Sequence, residues 1–443
     1  MNEMTLPTAK SGSRQGAGAG TTSFARRLVL NRLHRIQQGQ IRLVEGEHRI
    51  VVGQANAAFP LHAEVVVRDP GFYVDVLFGG TIGAAEAYMD GKWETEDLTA
   101  VIRIITRNTA VMDGMEGGIA RVAQAMHKLA HRFRRNTRRG SRRNIAAHYD
   151  LGNDFFAAFL DETMMYSSAV FERDDMGLLD ASIAKLDRIC RKLELQPGDR
   201  VLEIGTGWGG FAIHAARHYG CHVTTTTISR AQYDMAVDRV HRAGLSDRVT
   251  VLREDYRDLG GLYDKMVSIE MIEAVGHEYF DTYFAKASSL LKPHGMFLMQ
   301  AITIADQRYE QARRSIDFIQ RYIFPGGSLP SVARIAESVA RVTDMRIFHL
   351  EDIGPHYART LRAWRERFSA RVASIRSMGY PEEFLRMWEY YFCYCEGGFE
   401  ERVIGAAQFF FTKPLCRREA LVSLPHSGTA WHKPSLARVS GGR

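Results

Sequence analysis

The pattern of apolar and polar residues changes several times along the chain and divides it into segments. Residues 1–22 are rich in Gly, Ala, Ser and Thr, which is typical of a disordered tail. In residues 23–108, apolar residues at three- and four-residue spacing predict a helix, and alternating apolar and polar residues then predict short strands. The stretch FYVDVLFGGTIGAAEAYMDGKWE predicts a helix, a glycine turn and a second helix. Together these patterns predict a small α+β domain.

Residues 147–415 alternate between short apolar runs and segments with helical periodicity. The runs RVLEIG, HVTTTT, YDKMVSIEM and GMFLMQAIT have the length of strands, and helical segments such as FAIHAARHY separate them. This alternation predicts an α/β fold with a doubly wound sheet. Residues 416–443, which end in LPHSGTAWHKPSLARVSGGR, predict a second disordered tail.

Residues 109–146 separate the two patterned regions and predict a basic linker. Eight Lys and Arg side chains crowd the stretch from Lys128 to Arg143. Such a run attracts anionic lipid headgroups, with about 1 kcal/mol per basic residue near the surface. A solvated linker and an RNA contact are the alternatives. Phe133 is the one Phe, Tyr or Trp residue interleaved with these cations, so we expect no nucleic-acid partner.

Composition narrows the class of protein. The 443 residues are 45% hydrophobic and 25% charged, which is ordinary for a globular protein with a sizeable core. Five cysteines, an odd number without a CxxC pair, favour free thiols in a reducing, cytoplasmic setting, and no metal site is expected. We find neither a secretory signal nor an apolar run of bilayer length, so we expect any membrane contact to be peripheral. The net charge of +7 fits anionic lipid, nucleic acid or a solvated surface.

The segment VLEIGTGWGG combines two cofactor signatures. Its glycines spell GxGxxG, which is typical of dinucleotide binding, and also GxGxG, which is typical of S-adenosylmethionine binding. A dinucleotide site needs an acid about 20 residues further on, at the end of the next strand, and the segment CHVTTTTISRAQ contains none. Glu203, two residues ahead of Gly205, can instead reach the amino-acid part of S-adenosylmethionine. We therefore predict that Glu203, Gly205 and Gly207 bind this cofactor, with a purely structural glycine turn as the alternative.

Seven segments match, in order, blocks of one enzyme family: HYDLGNDFF, MMYSSAVFERDDM, LEIGTGWGG, TISRAQ, EMIEAVG, YIFPGGSLPS and GPHYARTL. Through them the chain resembles the cyclopropane-fatty-acyl-phospholipid synthases and the related mycolic-acid methyltransferases over residues 45–415. AEAYMDGKWE matches the N-terminal domain of the bacterial phospholipid enzymes, which the mycolic-acid enzymes lack. The resemblance implies a class I methyltransferase fold, with a Rossmann-like doubly wound sheet, and a homodimer.

The resemblance also implies a reaction. The cis double bond of a phospholipid acyl chain attacks the methyl group of S-adenosylmethionine, a carbocation forms, and loss of a proton closes a cyclopropane ring. Aromatic faces stabilise a cation without trapping it. WEYYFCYCEGGF at 388–399, Tyr322 and Phe324 are candidates for this role, with ordinary core packing as the alternative. An enzyme of this kind is expected in the cytoplasm, bound peripherally to the inner face of the membrane.

Cofactor contacts are implied for the residues that match the family motifs. Thr227 and Gln232 belong to a TxSxxQ element that holds the ribose end, and Asp255 and Tyr256 are expected beside the adenine. The full set implied by the resemblance is Tyr166, Ser167, Gly205, Gly207, Thr227, Gln232, Asp255 and Tyr256.

The family uses a bicarbonate ion as the base, and the resemblance implies five positions that bind it. Glu273, Ile302 and Tyr357 match the family residues, whereas Ser168 stands in place of Cys and Gln300 in place of His. Glutamine donates a hydrogen bond to an anion but carries no proton at neutral pH. Either bicarbonate still binds and Glu273 and Tyr357 handle the proton, or slower proton removal leads to a methyl- or methylene-branched chain. An inactive lipid-binding protein and a methyltransferase for a soluble small molecule are further alternatives.

Overall fold

The computed structural model describes residues 19–108 and 151–419. The predicted linker lies outside these residues, and so do most positions of the two predicted tails. Both tail boundaries are wrong by a few residues. The first helix begins at Ala19, because lengthening a formed helix by one turn costs little free energy, and Cys416 is buried in the core. No helix in the described part of the chain is both long and apolar enough to cross a bilayer.

The N-terminal domain combines three helices with a four-stranded sheet. Its elements are α1 (Ala19–Leu33), β1 (Gly39–Glu45), β2 (His48–Gln54), β3 (His62–Val67), α2 (Gly71–Met89), β4 (Trp93–Glu94) and α3 (Leu98–Arg107). The strand order is β2-β1-β3-β4, with β1 and β3 parallel and the other pairs antiparallel. Gly80 kinks α2 with φ 61° and ψ −136°, which confirms the predicted helix, glycine turn and helix. The predicted α+β domain is confirmed.

The second described region contains a seven-stranded sheet with helices on both faces. Its elements are α4 (Asn153–Phe159), α5 (Leu178–Lys192), β5 (Arg200–Ile204), α6 (Gly210–Tyr219), β6 (His222–Thr226), α7 (Arg230–Arg242), β7 (Val249–Leu252), β8 (Tyr263–Ile269), α8 (Phe280–Ser289), β9 (Leu291–Ile304), α9 (Asp306–Arg314), α10 (Val332–Val342), β10 (Arg346–Asp352), α11 (Gly354–Ala370), α12 (Val372–Ser377), α13 (Glu382–Glu400) and β11 (Ile404–Thr412). The strand order is β10-β11-β9-β8-β5-β6-β7. Neighbouring strands from β9 to β7 in this order pair in parallel, whereas β11 pairs antiparallel with both β9 and β10. The predicted doubly wound α/β fold is confirmed.

Apolar layers cover both faces of this sheet, because side chains that alternate along each strand are apolar on both sides. In β11, Phe409 and Phe411 join the layer that contains Phe280 of α8. Phe410, between them, joins the opposite layer with Phe211 of α6. The sheet is therefore buried on both faces, and the ends of its strands form the frame of the site.

A further core joins the two domains around α13, which packs against α11, α2 and α3. Trp388 of α13 is fully buried and contacts Phe155 and Phe159 of α4. The Tyr88 hydroxyl of the N-terminal domain donates a 2.9 Å hydrogen bond to the Glu389 carboxylate. The N-terminal domain thus rests on the helix whose other residues line the site described below.

Candidate active site

A cavity of about 430 Å³ lies at the carboxyl ends of β5, β6 and β8. The strand order runs outward from β5 in both directions, and ligands of doubly wound sheets bind at such a switch point. α11 and α13 contribute the opposite wall, and the lining is more apolar than polar. This size and lining suit an organic ligand with a polar end and an apolar end.

The glycine loop connects β5 to α6 along one side of this cavity. Gly205 and Gly207 have φ values of 105° and 51°, a left-handed region that residues with a Cβ rarely adopt. A Cβ on Gly210 would lie 2.6 Å from the carbonyl oxygen of Thr163. The loop therefore needs its glycines, and they leave backbone exposed to a ligand.

Two buried ionisable groups lie near the glycine loop, and one of them, the Glu203 carboxylate, lines the cavity. The Glu203 carboxylate accepts a 2.7 Å hydrogen bond from the Thr225 hydroxyl. Burial raises the pKa of Glu203 to about 8, although that hydrogen bond and the charge of Lys185 lower it. Lys185 Nζ donates to Ser167 Oγ at 2.9 Å, and burial lowers the pKa of Lys185 to about 8.

Residues after β6 and β7 form a second polar wall. The Thr227 hydroxyl donates to Gln232 Oε1 at 2.9 Å. The Asp255 carboxylate accepts hydrogen bonds from the backbone N–H and the guanidinium of Arg257, the shortest of them 2.6 Å. One cavity therefore contains all the residues expected to contact the cofactor, namely Tyr166, Ser167, Glu203, Gly205, Gly207, Thr227, Gln232, Asp255 and Tyr256.

Aromatic side chains line the apolar part of the cavity. The Tyr166 hydroxyl donates a 2.9 Å hydrogen bond to the Tyr391 hydroxyl, which fixes both rings. Trp388 is fully buried in the core, so the core-packing alternative is confirmed for this residue. The Tyr322 hydroxyl donates a 2.5 Å hydrogen bond to the Glu86 carboxylate. Of the aromatic candidates, those lining the cavity are Phe324, Tyr391, Tyr394 and Phe399.

A buried acid cluster lies where β8 and β9 end, and its centre, Glu270, was not predicted from the sequence. Glu270 Oε1 accepts 2.9 Å hydrogen bonds from the Ser168 backbone N–H and from Gln300 Nε2. The Tyr357 hydroxyl donates to Oε2 at 2.6 Å. Burial raises the pKa of Glu270, while these three hydrogen bonds and the charge of Lys185 lower it in part.

Glu273 lies beside this cluster with a different set of contacts. Its Oε1 accepts a 2.5 Å hydrogen bond from the Ile302 backbone N–H. Its Oε2 is buried and has no hydrogen-bond partner among the described residues. Burial and the neighbouring Glu270 raise the pKa of Glu273 to about 8. The five residues expected to bind bicarbonate therefore do come together, but Tyr357 donates to Glu270 and not to Glu273.

A usable signal for Glu270 existed in the sequence. Glu270 directly follows β8, and a position at the end of a parallel strand was the argument for Glu273, three residues later. The segment SIEMIE contains both acids, and both lie in the family block EMIEAVG, but the resemblance assigns only the second one to the bicarbonate site. The sequence does not show that three hydrogen-bond donors converge on Glu270 in the folded chain.

Comparisons with known proteins identify the family of this chain. Residues 136–409 match the family model described as mycolic acid cyclopropane synthetase. The chain belongs to this family. It is 41% identical to a tuberculostearic acid methyltransferase of Mycobacterium tuberculosis over 342 residues, which are 74% of this chain and 78% of that relative. It is 40% identical to a cyclopropane-fatty-acyl-phospholipid synthase of Escherichia coli over 354 residues, or 79% of this chain and 88% of that relative.

A solved structure extends the agreement to the fold. The chain is 34% identical to a mycolic acid cyclopropane synthase whose structure was solved in complex with SAH and CTAB. The two structures match with a TM-score of 0.58 over 61% of this chain and 98% of the solved chain. The predicted family and the predicted class I methyltransferase fold are therefore confirmed.

In this member of the cyclopropane synthetase family, a series of hydrogen bonds fixes the orientation of the Gln300 amide. Lys192 Nζ, which can only donate, donates to Gln408 Oε1 at 2.7 Å. Gln408 Nε2 therefore faces Gln300 and donates to its Oε1 at 3.0 Å. Gln300 Nε2 is left to face Glu270 and the Ser168 carbonyl. Gln300 thus acts as a hydrogen-bond donor towards the acid cluster.

Proposed function

We propose that this protein uses S-adenosylmethionine to convert cis double bonds of unsaturated phospholipid acyl chains into cyclopropane rings. The observation that carries the proposal is one cavity that joins the glycine loop, the carboxylates of Glu270 and Glu273 and an aromatic wall. An alkene is a poor nucleophile, so it must meet the methyl donor in line and without water. Membership of the cyclopropane synthetase family supports the same reaction.

The polar end of the cavity fits S-adenosylmethionine, which supplies the methyl group when it is bound. A Cβ on Gly207 would have no heavy atom within 4 Å, so the loop leaves room for the amino-acid part of the cofactor. The buried Glu203 carboxylate is a hydrogen-bond acceptor for its ammonium or hydroxyl groups, and an approaching cation would favour the ionised acid. The Thr227 and Gln232 pair supplies polar groups for the ribose.

The aromatic wall excludes water and faces the acyl chain. Phe324, Tyr391 and Phe399 present rings to a positive charge that develops on the chain, and an aromatic face stabilises a cation without forming a bond to it. We place proton removal from the bridging methyl group at the neighbouring acid cluster. Besides Glu270, that cluster consists of Tyr357, Ser168 and Gln300, and Glu273 lies beside it with the Ile302 N–H.

A branched acyl chain is the second candidate product. Gln300 cannot carry a proton at neutral pH, unlike the His of the family pattern. A relative with 41% identity is named a tuberculostearic acid methyltransferase. If proton removal from the methyl group is slow, a hydride shift within the cation can precede it. The shifted cation then loses a proton from the methyl group, which leaves a methylene branch, or from a neighbouring chain carbon, which leaves a methyl branch on a new double bond.

We also place the protein in the cytoplasm, at the inner face of the membrane and as a homodimer. A phospholipid substrate requires contact with the membrane, and the basic run at 128–143 supplies charge for docking on anionic lipid. All five cysteines are free thiols and four of them are buried, which suits a reducing compartment.

Analysis of the product tests the proposal. Full-length protein is incubated with S-adenosylmethionine that carries a trideuteriomethyl group and with vesicles of unsaturated phospholipid, and the released acyl chains are analysed by mass spectrometry. We expect a chain that keeps two deuterium atoms and resists ozone, as a cyclopropane does. A methylene branch also keeps two deuterium atoms but is cleaved by ozone, and a methyl branch formed by hydride shift keeps all three.

Vesicles of saturated phospholipid are the control, because they lack the double bond and should gain no label. Cofactor binding without any labelled lipid would contradict the proposal and favour a lipid-binding protein. Label in a soluble acceptor, with none in lipid, would favour a small-molecule methyltransferase.

A further inference from the structure

Glu270 already engages three of the five groups expected to bind bicarbonate. Its carboxylate accepts hydrogen bonds from the Ser168 N–H at 2.9 Å, from Gln300 Nε2 at 2.9 Å and from the Tyr357 hydroxyl at 2.6 Å. An added anion would have to displace Glu270 from these donors. It would also lie next to two buried carboxylates, those of Glu270 and Glu273, and like charges disfavour one another. The residues present therefore do not fit a bound bicarbonate ion.

The backbone of Glu270 indicates that its side chain is there for a function. Its φ of +49° lies in the left-handed region, which glycine adopts freely and other residues adopt at a cost. The Glu270 N–H donates to the Gln300 carbonyl at 2.7 Å, so the ends of β8 and β9 hold this conformation. Strained residues of this kind cluster at ligand sites. If this position had only a structural role, glycine would adopt the same backbone conformation at a lower cost in free energy.

Both departures from the family pattern suit a resident carboxylate. Ser168 acts through its backbone N–H, while its hydroxyl donates to the Ala169 carbonyl at 3.0 Å, so a cysteine thiol is not needed there. Gln300 is oriented by Gln408 to present Nε2. An acid that accepts the proton itself needs only a hydrogen-bond donor from this position, and an amide supplies one.

We propose that Glu270 is the catalytic base of this enzyme and takes the place of bicarbonate, an inference that rests on the proposed methyl transfer to lipid. The C–H bond of the bridging methyl group breaks, and its electron pair forms the last C–C bond of the ring. The proton goes to the carboxylate of Glu270, which becomes a carboxylic acid as the cation is neutralised. Oε2 accepts one hydrogen bond, from Tyr357, and keeps a lone pair for the proton. Glu270 lines the same cavity as the glycine loop.

Two variants of the full-length protein separate Glu270 from bicarbonate. In Glu270→Gln the side chain still fills its place but accepts no proton, so we expect formation of the cyclopropane product to fall by about 100-fold or more, with no recovery in added bicarbonate. In Glu270→Gly the backbone strain is relieved and space for an anion opens, so we expect a similar loss with partial recovery in added bicarbonate. Both variants should keep their melting temperature and their affinity for S-adenosylmethionine.

Wild type and a matched surface variant complete the activity experiment. Glu383 is exposed at the start of α13, and Glu383→Gln should match wild type. Both should have the same activity on unsaturated phospholipid vesicles in CO2-free buffer and in buffer with bicarbonate. Wild-type activity that depends on bicarbonate, or a Glu270→Gln variant that forms cyclopropane as fast as wild type, would overturn the proposal.

Binding of 13C-bicarbonate, followed by NMR, gives a readout that does not depend on activity. We expect saturable binding to Glu270→Gly and none to wild type, and saturable binding to wild type would also overturn the proposal. A wild type that transfers no methyl group to lipid in either buffer contradicts the proposed function instead. The NMR experiment then still decides whether Glu270 occupies the anion site.

Discussion

Glu351 connects an ion cluster to the buried amide of Gln300. Its carboxylate accepts hydrogen bonds from Arg188 Nε at 2.9 Å and from Lys192 Nζ at 2.5 Å. Lys192 also donates to Gln408, which in turn donates to Gln300. The orientation of Gln300 in the acid cluster therefore depends on a cation that Glu351 holds in place.

The charge of Glu351 should make stability depend on pH. Burial raises the pKa of Glu351, but the hydrogen bonds from Arg188 and Lys192 outweigh it and lower the pKa to about 2. The folded pKa lies below the ordinary value of about 4.3, so the stabilisation is complete above that value and is lost as pH falls towards 2. We expect Glu351→Gln to lower the free energy of unfolding by about 2 kcal/mol at pH 7, and by less at pH 3.

Urea unfolding of wild type and variant at both pH values measures this difference. Glu382 pairs with Arg376 on the surface, and its side chain is 62% exposed, so Glu382→Gln should change stability little at either pH. An equal loss for Glu351→Gln at pH 7 and pH 3 would show that its charge is not the source.

Single residues differ in how far the sequence could predict their roles. Tyr166, Gly205 and Thr227 lie in short motifs, and the structure places them on one cavity. Glu270 is different, because its meaning comes from donors on three distant segments that only the folded chain brings together. A local pattern cannot report such a convergence.

The strands and helices follow from the hydrophobic pattern, because each buried run has the length of its element. RVLEIG gives β5 and HVTTTT gives β6, and the glycines between β5 and α6 form the expected turn. The ends of the elements were less predictable. Ala19 and Cys416 lie in polar segments. Ala19 belongs to the folded part because it begins a helix, and Cys416 because it is buried.

The tight fit of the loop into α6 leads to a prediction at this scale. A Cβ on Gly210 would lie 2.6 Å from the Thr163 carbonyl oxygen and 2.7 Å from the Met165 sulfur. Gly210→Ala must therefore push away the segment that contains Tyr166 and Ser167. We expect a loss of about 1–3 kcal/mol in stability and weaker S-adenosylmethionine binding, measured by thermal unfolding and calorimetry.

A second glycine substitution is the control for this prediction. Gly260 lies in an exposed loop with open space around its Cβ position, so Gly260→Ala should leave both quantities unchanged. Unaltered cofactor affinity in Gly210→Ala would show that the 163–167 segment does not position the cofactor residues.

At the scale of the whole molecule, the two domains share α13. Arg103 of α3 donates to the Glu401 carboxylate at 2.7 Å, and the Glu401 side chain is only 2% exposed. Arg386 of α13 donates to the Tyr88 carbonyl at 2.7 Å. Composition and periodicity predicted two domains, but these contacts join residues about three hundred positions apart, so no local pattern could predict how the domains dock.

The whole molecule must reach the membrane, and the basic run at 128–143 is the candidate surface for docking. Each basic residue near an anionic surface contributes about 1 kcal/mol, so replacing Arg134, Arg135, Arg138 and Arg139 by Glu should greatly weaken docking. We expect activity to fall on vesicles with anionic unsaturated lipid and to change little on zwitterionic vesicles. Added salt should lower wild-type activity on the anionic vesicles, because the screening length is only about 10 Å at 0.1 M.

The control variant carries the same Arg-to-Glu replacement at positions outside the linker. Arg376 and Arg402 lie in the methyltransferase domain, outside the basic run, and their replacement by Glu should affect activity less than reversal of the run. Sedimentation of each variant with the same vesicles separates docking from catalysis. If reversal of the run leaves both sedimentation and activity unchanged across salt, the run is a solvated linker and membrane contact must come from another surface.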